Sequence, residues 1–165
     1  MAATGAPVGT YNVGTYPLAI AFDGTSVWVA NNGEDSGNTV TKLLAATGAP
    51  VGTYIVGTGP AGVVFDGSNV WVGNVIDGTV TKLLAATGEP LGTYQLDGSP
   101  DSMAFDGANV WVAIVNADYV YKLSAATGAV AGTYLVGPAF GHSGMAFDGA
   151  NIWVTNYASG TVSKL

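Results

Sequence analysis

The chain of 165 residues has no cysteine, no arginine and a single histidine, and charged residues make up 9% of it. Without cysteine there is no disulfide, thiol nucleophile or cysteine metal ligand. Four lysines against 11 acids give a net charge of −7, whereas nucleic-acid binding depends on clustered Lys and Arg, so we expect no nucleic-acid partner. No stretch approaches the roughly 18 apolar residues of a membrane span, so we expect no membrane partner. The N-terminus also lacks the basic and apolar regions of a signal peptide. A processed secreted protein or an excised fragment would lack them too, so the localisation stays open.

An internal repeat dominates what is present. Tryptophan recurs at positions 28, 71, 111 and 153, each time a few residues after "FDG". A Lys-Leu pair follows in every unit, with its lysine at positions 42, 82, 122 and 164. Four units of about 41 residues lie in the range of a four-stranded repeat. We therefore treat residues 1–165 as one domain of four repeats.

Each unit reads as four strands, because Gly and Pro are frequent and no apolar period of 3.6 residues persists. In the second unit the strands are "AGVVF" (a), "VWVGN" (b), "TVTKLLA" (c) and "PLGTYQL" (d). Strand b is apolar on both faces, which predicts that it lies between neighbouring sheets. The lysine within strand c is expected on an outer, exposed edge, where charge discourages stacking of sheets.

The tetrapeptides "WVAN" at Trp28–Asn31, "WVGN" at Trp71–Asn74 and "WVTN" at Trp153–Asn156 resemble YVTN-type propeller repeats. Those repeats are related to NHL repeats and to virginiamycin B lyase-like propellers. The resemblance covers the whole chain, although the third unit has Ile114 in place of the asparagine. It implies an all-β fold, a β-propeller of four-stranded antiparallel blades with four repeats per chain, and it slightly favours an extracellular or periplasmic compartment.

The chain begins and ends within its own repeat. Its last residues "SKL" followed by its first residues "MAATG" rebuild the internal "TKLLAATG". We expect the N-terminal segment to be a strand d that completes the last blade as a velcro closure, because an unpaired sheet edge is an aggregation liability. Closure within one chain would make a four-bladed monomer, and closure between chains an eight-bladed head-to-tail homodimer. We favour the homodimer, because about 45° between blades allows flatter packing than about 90°.

The up-and-down strand order predicts two faces. The turn face holds the a–b and c–d turns and is nearly identical in all units, so its four "FDG" aspartates are expected to form turns. The loop face holds the b–c loops (31–38, 74–78, 114–118, 156–160) and the d–a loops (14–17, 57–60, 97–102, 137–144), which vary. Variable loops on a rigid scaffold are typical binding positions. The candidate binding residues there are Tyr16, Glu34, Asp35, Asp77, Asp97, Asp101, Asn116, Asp118, Phe140, His142 and Tyr157.

These residues favour a binding or interaction scaffold over an enzyme, with a protein, peptide or carbohydrate as ligand. A virginiamycin B-type lyase would be expected to use histidine and glutamate around magnesium, but His142 is the only histidine and Glu34 and Glu89 are the only glutamates. No catalytic residue and no cofactor is therefore predicted. Calcium or magnesium stays a weaker alternative, since the acidic loops supply oxygens without a known ligand spacing. A metal-assisted lyase or hydrolase, and an excised or engineered repeat unit without a ligand, are the other two interpretations.

Overall fold

The computed structural model describes residues 5–138 and 144–165, and within them it contains strands and turns only. It therefore includes no helix of the length and apolar character that crossing a membrane would require, as far as these residues go. The strands are β1 (Pro17–Phe22), β2 (Ser26–Asn31), β3 (Thr39–Leu44), β4 (Pro50–Ile55), β5 (Pro60–Phe65), β6 (Asn69–Asn74), β7 (Thr79–Leu84), β8 (Pro90–Gln95), β9 (Pro100–Phe105), β10 (Asn109–Ile114), β11 (Tyr119–Ser124), β12 (Val130–Leu135), β13 (Met145–Phe147), β14 (Ile152–Asn156) and β15 (Thr161–Lys164).

The strands form four antiparallel sheets in chain order, which confirms the all-β prediction. The first sheet is β1–β4, the second β5–β8 and the third β9–β12, while the last holds β13, β14 and β15. Every neighbour along a sheet is also the next strand in sequence, so each repeat folds as a local up-and-down meander. The four predicted strands of the second repeat agree with β5 to β8 to within one residue at each end.

The hydrophobic core lies between neighbouring sheets. Trp28 and Ala30 of β2, both fully buried, pack with Val70 and Val72 of β6, and Trp71 packs in the same way with the third sheet. Burying an aromatic or branched aliphatic side chain contributes about 1.5–3 kcal/mol, so these contacts hold the sheets together. The prediction that strand b is sandwiched between sheets is confirmed.

The outward faces of the first and last sheets are uncovered. Ile20 and Phe22 of β1 are 66% and 56% exposed, whereas the equivalent Val63 and Phe65 of β5 are partly buried. At the other end Val162 of β15 is 56% exposed, whereas its equivalent Val40 is fully buried. The four sheets therefore form an open row with two apolar ends.

Residues 5–16 are not a strand in the single chain. Within the described ranges, β15 is hydrogen-bonded to β14 and to no second strand. The predicted completion of the last sheet by the N-terminal segment, whether within a chain or between chains, stays a prediction.

Candidate functional site

Backbone hydrogen bonds join the two kinds of loop into one surface. The Asn32 N–H donates to the Tyr16 carbonyl at 3.1 Å, and the Val136 N–H donates to the Asp118 carbonyl at 2.7 Å. The Leu96 N–H donates to the Gly78 carbonyl at 2.9 Å. Each bond ties a b–c loop to a d–a loop or to the residue just before one, so the loops of each repeat support each other on the loop face.

The loop after β2 is the most elaborate part of this surface. The Asp35 N–H donates to Oδ1 of Asn32 at 2.6 Å, and Nδ2 of Asn32 donates to Oδ1 of Asp35 at 3.1 Å. This reciprocal pair holds Glu34 and Asp35 at φ values of 57° and 66°, in the left-handed region. Both acidic side chains are exposed, so they present carboxylates on a fixed backbone.

Left-handed backbone at residues other than glycine lies on the loop face. Within the described part of the chain, the non-glycine residues with positive φ are Tyr16, Glu34, Asp35 and Asn116, and all four belong to its loops. Such conformations cost roughly 1–3 kcal/mol each and tend to cluster at functional sites. The turn face, in contrast, reaches positive φ with glycine at the same place in every repeat, as at Gly24 and Gly67.

The remaining acidic candidates have different surroundings. Oδ2 of Asp77 accepts the Thr58 N–H at 2.7 Å, and the Asp97 carbonyl accepts the Tyr119 hydroxyl at 3.0 Å. Asp101 lies in β9, not in a loop, and helps to line a cavity of about 380 Å³ along the inner strands. No three carboxylate or imidazole groups meet as a metal site anywhere in 5–138 or 144–165.

The exposed aromatic candidates lie at both ends of the row. Tyr16, before the first sheet, is 57% exposed, and Tyr157, in the last b–c loop, is 75% exposed. Ile76, which the sequence analysis did not single out, is also 55% exposed on this face. Phe140 and His142 lie outside the described residues, so their predicted part in binding stays a prediction.

The turn face carries a repeated aspartate–tryptophan network. In the second repeat Oδ1 of Asp66 accepts the backbone N–H groups of Ser68 and Asn69, and Oδ2 accepts Nε1 of Trp71 at 2.7 Å. The same pattern recurs around Asp23, which confirms that the "FDG" aspartates form turns.

These hydrogen bonds control the ionisation of the aspartates. Partial burial raises the pKa of Asp66, but the Trp71 indole N–H, the Asn69 amide and the backbone N–H groups together lower it by more. The pKa of Asp66 therefore lies below its ordinary value. The carboxylate is ionised at neutral pH and serves as a structural acceptor.

The prediction that the strand-c lysines lie on an exposed edge was wrong for Lys42 and Lys82, which are both buried. Nζ of Lys82 lies 4.8 Å from the centre of the Trp71 ring and donates to the Ala125 carbonyl of the next sheet at 2.7 Å. Lys82 is only 7% exposed, so it does not place a charge on an exposed outer edge of the sheet. The ring and the carbonyl replace the water around the ammonium group, and the lysine becomes a link between sheets.

Buried asparagines fix strand b to strand c, a role that the sequence analysis did not identify. Nδ2 of Asn74 donates to the hydroxyls of Thr79 and Thr81 at 3.0 and 2.9 Å. The third repeat replaces all three residues together, with Ile114, Tyr119 and Tyr121. That joint replacement is the signal in the sequence from which the contact could have been found.

Comparison with solved structures agrees with this architecture. The chain matches the virginiamycin B lyase of Staphylococcus aureus with a TM-score of 0.76 at 18% identity, over 93% of this chain and 52% of the lyase. The chain is a row of β-propeller blades. A streptogramin B lyase matches it with a TM-score of 0.69 at 17% identity, over 90% of this chain and 53% of that one.

The hydrazine synthase of Kuenenia stuttgartiensis also matches the propeller, with a TM-score of 0.69 at 19% identity, over 96% of this chain and 52% of that one. The chain thus spans about half the length of the solved chains that it resembles. No family profile matches it, and no curated protein matches its sequence. At these identities the similarity establishes the fold alone. The similar structures have different names, two of them lyases and one a hydrazine synthase.

Proposed function

We propose that this propeller is a non-enzymatic binding scaffold whose contact surface is the loop face. The observation that supports the proposal is the contrast between the two faces. The turn face repeats one aspartate–tryptophan network, whereas the loop face differs in every repeat and holds non-glycine residues in left-handed conformations. The requirements of folding account for the repeated network on the turn face. Variable loops on a rigid frame, as on the loop face, are the arrangement expected of a binding surface.

The chemistry of the loop face suits a ligand with both apolar and hydrogen-bonding groups. Tyr16 and Tyr157 offer large amphipathic rings, which are enriched where proteins bind partners. Glu34 and Asp35 add acceptors on a backbone that is already fixed. A carbohydrate, a peptide or a polar protein surface would match these groups.

Arrays of glycans and of peptides, probed with the labelled full chain, would identify the ligand class. The variants Tyr157→Ala and Glu34→Gln should weaken binding to the strongest hit at least tenfold, about 1.4 kcal/mol, as measured by calorimetry. Glu89→Gln is the matched control, because Glu89 is exposed on the opposite face. Absence of any hit, or binding that Glu89→Gln weakens and the loop variants do not, would contradict the proposal.

The alternative of a metal-assisted lyase or hydrolase has a separate test. Calorimetric titration with Mg²⁺ and Ca²⁺, together with the Tm in EDTA, would detect a metal site on the acidic loops. Binding of either ion that His142→Ala or Glu34→Gln abolishes would favour that alternative over the scaffold. Equal Tm values with and without EDTA, and no heat of binding, would favour the scaffold.

A further inference from the structure

One kind of contact joins successive sheets along the row. Each of the first three tryptophans packs on a tyrosine of the outer strand in its own sheet, as Trp28 does on Tyr54 with their rings 5.3 Å apart. In the first two of these sheets that tyrosine also lies against a glycine of the next c–d turn, as Tyr54 does against Gly88. The lysine under the tryptophan then reaches the next sheet, with Nζ of Lys42 donating to the Ala85 carbonyl at 2.6 Å.

The last sheet presents this contact without its second half. Trp153 is 37% exposed, although Trp28 and Trp71 are fully buried. Lys164 lies 5.1 Å from the Trp153 ring centre, as its equivalents do, but it is exposed. Val162 is exposed beside it. This surface, made of Trp153, Val162 and Lys164, is called the trailing face.

The first sheet presents the matching half. The ring of Tyr11 lies against Gly48, as Tyr54 lies against Gly88 and as Tyr94 lies against Gly128. The Gly14 N–H donates to Oδ1 of Asn31 at 3.0 Å, which ties the same segment down at its other end. The segment 7–12 therefore occupies the position of an outer strand of a preceding sheet, although the residues that the structure describes supply it with no inner partner strand.

We propose that the occupant of the trailing face is a second copy of this chain, with β15 of one copy pairing with segment 7–12 of the other. The register follows from the complete sheets, where Thr39 pairs with Ile55, Val40 with Tyr54 and Lys42 with Gly52. By the same register Thr161 faces Asn12, Val162 faces Tyr11 and Lys164 faces Gly9. Each copy completes the last sheet of the other, and Tyr11 covers Trp153. This inference concerns assembly and is independent of the ligand.

A second copy fits better than closure within one chain. Ile20 and Trp153, which would be covered if the row closed on itself, are both exposed in the single chain. The row also superposes on about half of a longer propeller chain, so its curvature is that of a larger ring. Two such rows joined at both ends complete a closed ring without any new type of contact, because the joint repeats the one between the first and second sheets.

Cysteine pairing can test the register, because the chain has no cysteine of its own. Directly opposed residues in an antiparallel pair have Cα atoms about 4.5–5.5 Å apart, which a disulfide spans. Asn12→Cys and Thr161→Cys are made in separate chains, mixed and oxidised. The matched control is Thr39→Cys with Ile55→Cys in one chain, since Thr39 and Ile55 are paired in the first sheet.

The expected result is a covalent product with twice the mass of the 16.5 kDa chain, from the mixture and from neither variant alone. The control should form its disulfide within a single chain and keep the mass of one chain. Light scattering of the unmodified chain provides an independent reading and should give the mass of two chains. A particle with the mass of one chain, or a disulfide formed within the chain when both new cysteines share it, would overturn the proposal.

Discussion

Removal of the Asp66 carboxylate is the sharpest test of the network on the turn face. Asp66→Ala takes away the acceptor of Nε1 of Trp71, a residue that is fully buried. It also takes away the acceptor of the Ser68 and Asn69 N–H groups, which form the turn between β5 and β6. Because Trp71 is fully buried, its indole N–H loses the one acceptor that the structure gives it.

The size of the effect follows from these contacts. A buried donor left without a partner costs about 1–3 kcal/mol. Loss of the side-chain acceptor in the turn, where the N–H groups can reach solvent, adds roughly 1 kcal/mol. The free energy of unfolding should therefore fall by about 2–4 kcal/mol, a large part of the roughly 5–15 kcal/mol that is typical of a domain.

Urea unfolding at pH 7, followed by tryptophan fluorescence and by circular dichroism, would measure this loss. Asp77→Ala is the matched control, because its exposed carboxylate accepts one backbone N–H on the loop face. We expect the control to change the free energy of unfolding by less than about 1 kcal/mol. If the two variants lie within about 0.5 kcal/mol of each other, the spread typical of surface substitutions, the structural role given to Asp66 is wrong.

Three further predictions concern the same framework. In the folded chain the pKa of the "FDG" carboxylates, such as that of Asp66, lies below the ordinary 3.8. Their contribution to the free energy of unfolding is therefore complete above about pH 5 and is lost as the pH falls below 3.8. Urea unfolding at pH 6 and at pH 3 would show this loss. Lys82→Met removes the bond to the Ala125 carbonyl and should cost about 1–3 kcal/mol in urea unfolding, with a smaller loss for the more exposed Lys122→Met. Asn74→Ile should cost about 2 kcal/mol, and adding tyrosines at 79 and 81, as in the third repeat, should recover at least half of it in a double-mutant cycle. Equal losses for both lysine variants, or no recovery in the cycle, would contradict these assignments.

The strands were predictable from the sequence because each of the four units carries the same strand and turn signals. Turn signals such as "FDG" recur in every unit, about 41 residues apart, and β-branched and aromatic residues fill the segments between them. The apolar character of strand b on both faces also indicated its place between sheets. These are local properties, which the sequence carries directly.

The lysine contact was beyond the sequence because it depends on two sheets. Whether Lys82 points to solvent or across Trp71 is decided by the position of the Ala125 carbonyl, 43 residues further along the chain. The loop face could be located from the strand order alone. The hydrogen bonds that hold Asp35 and Asp77 required the folded positions of Asn32 and Thr58.

The lysine-to-carbonyl link has a consequence for how the number of repeats in such a protein can change. Lys42 reaches Ala85 and Lys82 reaches Ala125, each across the same 43 residues, so the first two junctions between sheets use one chemical design. A duplicated repeat inserted between them would find a matching ring, ammonium group and carbonyl already in place. Gene duplication could therefore change the number of repeats without requiring a new type of contact between sheets.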